Sequence, residues 1–366
     1  MSVEGEAPNQ VSTPFEFGFC MPAEWDRHDA TWLAWPHNAT DWPGKVGAIQ
    51  WVYAEIVRKL ATDERVRILV NNSVLEGRAR RFLSRAATKL SNVEFFRIPT
   101  NRSWVRDYGP IFLKRSHQKP ELTIARFGFN AWARYPDWSN DVEVPFKLAD
   151  KLNCHLFPIR YQGNDVVLEG GSIEVNGMGL VITTEECLLD PIVQVRNPGF
   201  TPEDYETIFQ QSLGVTNVVW LVKGIAGDDT HGHVDDVCRF VSPKTVVLCQ
   251  ERNPKDANYR PLAENLERLE MATLVDGSKI DIIPLPMPAP LYFEGRRLPA
   301  SYANFYIGNA AVLVPTFNDP NDRLALGILS ELFHDRPVVG IHSVDLVWGF
   351  GTIHCLTQQQ PALAGE

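Results

Sequence analysis

Five side chains have types that could do chemistry together: Asp107, Glu169, His233, Asp235 and Cys355. Cys355 stands just past Gly349-Phe350-Gly351, close to the C-terminus, where a glycine turn can present a thiol as a nucleophile. Taken alone, such a cysteine is more often a small buried hydrophobe. The other four change that reading. An imidazole can move protons for a thiol, and three carboxylates around one small pocket repel one another unless a cation lies between them. Two carboxylates facing across a planar slot match the fork of a guanidinium, each accepting a pair of N–H bonds. Asp107 and Asp235 are therefore read as a clamp. A guanidinium pinned there is electrophilic at carbon, and its charge favours the thiolate of Cys355. The thiolate would attack, ammonia would leave with a proton from His233, and the same histidine would then activate water.

Strand parity assigns the histidine. Cys355 is expected on a short strand running into Gln358-Gln359-Gln360-Pro361, so His354 beside it should face the other way, a poor base for that thiol. His233 and Asp235, two apart, should share a face, base beside orienting carboxylate. Asp236 should point away and serve structure, joined to Arg239.

The elements that must position these residues alternate along the chain. Strands are expected at 31–36, 66–70 and 93–99, with helices at 48–60 and 75–90 between them. The polar stretch Trp104 to Pro110 then leads into a strand. The same sentence repeats after Glu169-Gly170-Gly171, after His231-Gly232-His233 and after Tyr302-Ala303-Asn304, with helices near 202–213, 262–269 and 323–333. Asp107, Glu169, His233, Asn304 and Cys355 thus recur about every 60 residues, the mark of a repeat architecture. Five α/β units arranged radially would bring their polar motifs to one axis, with the strand bearing Cys355 completing the first unit. The stretch 116–140 reads as an irregular excursion, with Phe127 to Trp132 as a binding loop. Asn304 is expected to hold its own hairpin, with a pocket hydrogen bond as the alternative. Pro320 after Asp319 marks a helix start.

Bulk properties exclude several classes. Hydrophobic residues at 44% and charged residues at 22% describe an ordinary globular chain, and the net charge of −10 disfavours nucleic acid or an anionic membrane as partner. The six cysteines form no Cys-x-x-Cys pair, which fits a reducing compartment, and the five besides Cys355 read as buried hydrophobes. The first residues form no signal peptide, and no apolar run approaches a membrane span. A cytoplasmic protein is the expectation, with tryptophans 25, 32, 35, 42 and 51 serving packing.

The motifs Trp104-x-Arg-Asp-x-Gly-Pro110, Glu169-Gly-Gly171, Gly232-His-Val-Asp235 and Ile353-His-Cys-x-Thr-Gln-Gln359 resemble those of the agmatine deiminase and bacterial (Porphyromonas-type) peptidylarginine deiminase family, within the guanidino-group-modifying superfamily. The match runs from Met21 to Pro361. It implies the pentein fold, a five-bladed α/β propeller of ββαβ repeats with pseudo-fivefold symmetry, as one domain over 21–366 after an irregular extension at 1–20. It also implies hydrolysis of a guanidino group to a ureido group and ammonia without a cofactor, most members acting on agmatine in polyamine and arginine metabolism. By motif, Cys355 becomes nucleophile, His233 acid and base, Asp107 and Asp235 the clamp, Glu169 an acid contacting or orienting the site, and Trp104 a pocket wall. Family members often assemble, so a homodimer or larger homo-oligomer is expected.

The chain departs from the agmatine-type pattern after Trp132, where Ala133-Arg134-Tyr135 replaces glycines. An Arg134 facing the pocket would bind a carboxylate and point to free or peptide-bound arginine, with citrulline as product; Trp132 would instead suit the ammonium of agmatine. Two rivals remain. His231, His233 and Asp235 could hold a metal in a hydrolase, although Cys355 would then have no task. A non-catalytic propeller would require a reactive position to be replaced, and none is.

Overall fold

Runs of β-branched and aromatic residues recur five times, and each recurrence builds one small sheet. The computed structural model describes residues 12–115, 119 and 121–363. In the second sheet Ile111–Arg115 runs antiparallel to Glu121–Arg126, which is parallel to His155–Pro158. The third repeats the order with Glu174–Val175, Leu180–Thr184 and Asn217–Leu221. The fourth uses Cys238–Phe240, Thr245–Gln250 and Asp281–Pro286, and the fifth Tyr306–Ile307, Val312–Thr316 and Val338–His342. Parallel neighbours need a crossover. Helices Val144–Leu152, Pro202–Leu213, Tyr259–Met271 and Pro320–Leu332 supply it, one to each of these sheets.

The first sheet carries one extra unit. His28–Ala34, Arg65–Val70 and Val93–Arg97 are all parallel, joined by helices Val46–Leu60 and Ser73–Arg85. Its antiparallel member comes from the far end of the chain, where Gln358–Pro361 pairs with His28–Trp32. The propeller therefore closes on itself, the pentein arrangement expected. Central strands are covered on both faces, and Leu180–Thr184 is buried throughout.

Local chemistry explains the helix ends. Thr201 and Asp204, and Asp319 and Asp322, form reciprocal capping boxes just before and within their helices, each with proline in the first turn. The helix expected to reach residue 90 stops at Arg85, where Ala87 enters the left-handed region (φ 55°). The excursion at 116–140 is not irregular throughout. Glu121–Arg126 is the central strand of the second sheet, half-buried at its start and buried after, a pattern the charged ends concealed. Trp32, Trp35 and Trp42 are fully buried, but Trp51 is almost half exposed and lies edge-on against Phe82. Of the expected extension, residues 1–11 lie outside the described residues; Phe19 is buried, and Cys20 bridges to Lys114.

Candidate active site

The five polar positions meet where the inner ends of the repeats converge. Cys355 lies on a helical turn, Ile353–Leu356, and not on the expected strand, which begins only at Gln358. Asn304 holds that turn: its Oδ1 accepts from Thr352 Oγ1 at 2.7 Å and from the His354 amide at 3.1 Å. Its Nδ2 donates to Cys355 Sγ at 3.2 Å. Asn304 thus serves the thiol, where a role in its own hairpin was expected. Gly351 approaches so closely that a Cβ there would stand 2.8 Å from the Trp104 ring and 3.2 Å from Cys355 Sγ. The left-handed residue of the turn is Phe350, with φ 64°.

Asp107 leaves a short turn, Val105–Tyr108. Its Oδ1 accepts the Gly171 amide at 3.0 Å, and its Oδ2 accepts Trp132 Nε1–H at 2.9 Å. Asp235 accepts His354 Nδ1–H at 2.7 Å through Oδ2, which also lies 3.6 Å from Cys355 Sγ, while Oδ1 is buried with no protein partner. His233 sits 3.8 Å from Asp107 Oδ1 through Nδ1 and 3.8 Å from Glu169 Oε2 through Nε2. These are ion-pair contacts longer than hydrogen bonds. Glu169 is gripped by Arg196 Nε at 3.0 Å, both side chains fully buried. Above these groups a cavity of about 480 Å³ opens, walled by Trp104, Trp132, Trp348 and Phe350, with Asp107 and Cys355 at its floor.

The electrostatics follow from burial and from that crowding. Burial pushes the Asp107 carboxyl up to about 6; His233 opposes this, and Asp235 and Glu169 add to it. Burial would raise Glu169 as well, but Arg196 and His233 outweigh it and hold that carboxyl near about 2. Burial pushes the Cys355 thiol well above its ordinary value, reinforced by Asp235, Asp236 and Asp107. Burial disfavours the His233 cation, yet Asp107 and the groups around Cys187 and Glu169 raise it well above the ordinary imidazole range. The cleft therefore pairs a protonated thiol and a protonated imidazole with carboxylates short of a cation.

Several expectations are corrected. His354 does not face away: parity applies to strands, and on a helical turn His354 reaches Asp235 beside the thiol. The carboxylates facing His233 are Asp107 and Glu169, while Asp235 belongs to His354. Asp236 does not pair with Arg239, which binds Glu174 and Glu24 instead. His231 pairs with Asp190 at 2.8 Å, so the proposed metal trio does not converge. Among the described residues, the donor atoms that do gather within 4.8 Å belong to Glu169, Cys187 and His233, and Arg196 already occupies Glu169. Cys187, Cys238 and Cys249 are buried as expected, Cys187 beside His233, whereas Cys20 is exposed and Cys154 half-buried. Arg134 does not line the cavity. It pairs with Asp229 at 3.0 Å; Tyr135 and Arg296 bind the same carboxylate, and these three, not Arg134, line the cavity rim. Arg196 carries no sequence signal that would have singled it out, and Glu24 stands where the family resemblance begins but had no role assigned.

The sequence profile of the Porphyromonas-type peptidyl-arginine deiminase family matches residues 20–361. The chain belongs to this family. It is 35% identical to an agmatine deiminase of Pseudomonas fluorescens over 96% of its length and 98% of the relative's. The agmatine deiminase of Enterococcus faecalis superposes with a TM-score of 0.86 at 31% identity, covering 96% of this chain and 98% of that one. The C. jejuni agmatine deiminase follows at 0.77 and 29%, covering 94% and 96%. Membership covers the fold and the guanidino-deiminase class of hydrolase. No described helix is long and apolar enough to cross a membrane.

Proposed function

We propose that the protein hydrolyses agmatine to N-carbamoylputrescine and ammonia through a covalent intermediate on Cys355. The observation that carries this reading is the pair of buried carboxylates flanking the thiol, Asp107 at the cavity floor and Asp235 with Oδ1 unpartnered. A guanidinium supplies the missing charge. Once it is clamped, the thiol faces a cation as well as carboxylates, and it releases its proton to solvent to become the thiolate. Sγ attacks the guanidinium carbon to give a neutral tetrahedral adduct. The His233 imidazolium protonates one nitrogen, the C–N bond breaks, and ammonia leaves a thiouronium. Neutral His233 then takes a proton from water as the hydroxide adds. The C–S bond breaks, the new hydroxyl's proton passes to the sulfur, and the ureido product departs. Glu169, fixed by Arg196, orients His233.

The agmatine relatives support the choice of substrate, and so does Arg134, which is engaged by Asp229 and offers no free cation to an α-carboxylate. The test is kcat/KM for agmatine, free arginine and a blocked arginyl peptide, with Cys355→Ser alongside. Agmatine should lead by more than about tenfold, and the serine variant should release no ammonia while keeping its fold. Arginine leading by that margin would overturn the substrate, and an active serine variant would overturn the mechanism.

A further inference from the structure

The helical turn that carries Cys355 also carries a histidine to which the chemistry above gives no part. His354 is 1% exposed and lies between two carboxylates, with Nδ1 2.7 Å from Asp235 Oδ2 and Nε2 2.8 Å from Glu24 Oε2. An ionised carboxylate only accepts hydrogen bonds, so a ring bridging two of them donates from both nitrogens. We propose that His354 is a positioning residue for the clamp: by binding Asp235 Oδ2 it holds that carboxylate turned so that Oδ1 meets the substrate guanidinium. The inference rests on the guanidinium reading above.

Three observations support it. Asp235 spends one oxygen on His354 and keeps the other without a protein partner, which fixes the orientation of the carboxylate plane. Burial raises the carboxyls of Asp235 and Glu24, yet both are held low. His354 counts in each case, beside His233 and Arg239 for Asp235, and Arg239 and Arg106 for Glu24. Glu24 is itself immobilised, because Oε1 accepts the Ile307 amide at 2.9 Å and an Arg239 nitrogen lies at 2.9 Å. Arg106 completes the surround, reaching the His354 carbonyl at 3.3 Å, and Glu174 balances Arg239. The assembly is a brace and not a proton exit. Beyond Glu24 the next link is its backbone carbonyl to His28 Nε2, and a carbonyl passes no proton.

The side-chain amide of asparagine can stand where Nδ1 does, and that of glutamine where Nε2 does. His354→Asn therefore preserves a donor to Asp235, and His354→Gln preserves only the one to Glu24. The experiment measures the rate of Cys355 labelling by a haloacetamidine, which needs the clamp, and by iodoacetamide, which does not. The ratio of the two rates cancels any general change in thiol exposure. It should fall at least about tenfold in His354→Gln and less than about threefold in His354→Asn, with KM for agmatine rising in the same order. Equal ratios in all three proteins would overturn the inference even if both variants lose turnover. A wild-type protein in which the amidine has no advantage would overturn the guanidinium reading and this inference with it. Should His354→Gln fail to fold, His354→Ala takes its place as the variant with no donor to Asp235, and a ratio within about threefold of wild type there overturns the inference.

Discussion

Asp107 carries a cost that its substrate removes. Its carboxyl rises from 3.8 to about 6 on folding, because burial among Asp235 and Glu169 penalises the anion more than His233 relieves it. A raised acid binds its proton more tightly when folded, so its contribution to stability is full below the unfolded value and fades as pH climbs through about 6. At neutral pH the ionised group strains the fold by on the order of 3 kcal/mol, an amount a clamped cation can return. Guanidinium binding should accordingly be proton-linked. In Cys355→Ser, affinity for agmatine by calorimetry should be flat above about pH 7 and fall toward tenfold per unit below about 6. An affinity independent of pH between 5 and 8 would mean that Asp107 does not receive the charge.

At the scale of elements, the short turn Gly170–Ser172 matters more than its length suggests. Its Gly171 amide orients Asp107, and its missing side chain lets three groups crowd together. A Cβ at Gly171 would meet His233 Nδ1 at 2.6 Å, Asp107 Oδ1 at 2.9 Å and Asp235 Oδ2 at 3.0 Å. None of these is the end of a flexible chain free to swing away, since each is pinned by burial and by neighbours. Gly171→Ala should therefore leave the far-ultraviolet dichroism unchanged and lower kcat/KM by at least about a hundredfold, because small displacements of reacting groups are costly. Activity within threefold of wild type would show that the cluster has slack.

At the scale of the whole molecule, the strand Gln358–Pro361 decides whether the site exists. It is the antiparallel member of the first sheet, and it is tied there by Trp32 Nε1 to Gln360 Oε1 at 3.0 Å and by Arg106 to Gln359 at 2.8 Å. Cys355 itself precedes it. Truncation after Thr357 retains every reactive residue, yet it exposes the buried face of Trp32 and frees the turn bearing the thiol. The expected outcome is a fall in Tm of more than about 10 °C, a red shift of tryptophan emission and loss of ammonia release. A truncated protein with unchanged Tm would show that closure of the ring contributes little.

The sequence by itself determined the repeat, the residue types of the site and the chemistry they suit. An interval near 60 residues, with a polar motif before each buried strand, leaves little besides a closed ring of α/β units, and a thiol with paired acids calls for a planar cation. The polar side chains that the sequence left to structure are decided by distant partners. His354 meets Asp235 119 residues away and Glu24 330 residues away, and Asn304 reaches Cys355 across 51. Parity along a strand could not foresee them, because the thiol sits on a helical turn whose backbone is held by the Asn304 side chain. Arg196 and Arg134 illustrate the same limit. Each guanidinium goes to whichever carboxylate the fold leaves within reach, buried Glu169 for one and rim Asp229 for the other. Local pattern sets which face of a strand is apolar; only the packing of separate repeats against one axis sets which buried charge finds which partner, since an unpaired buried charge costs more than any local preference.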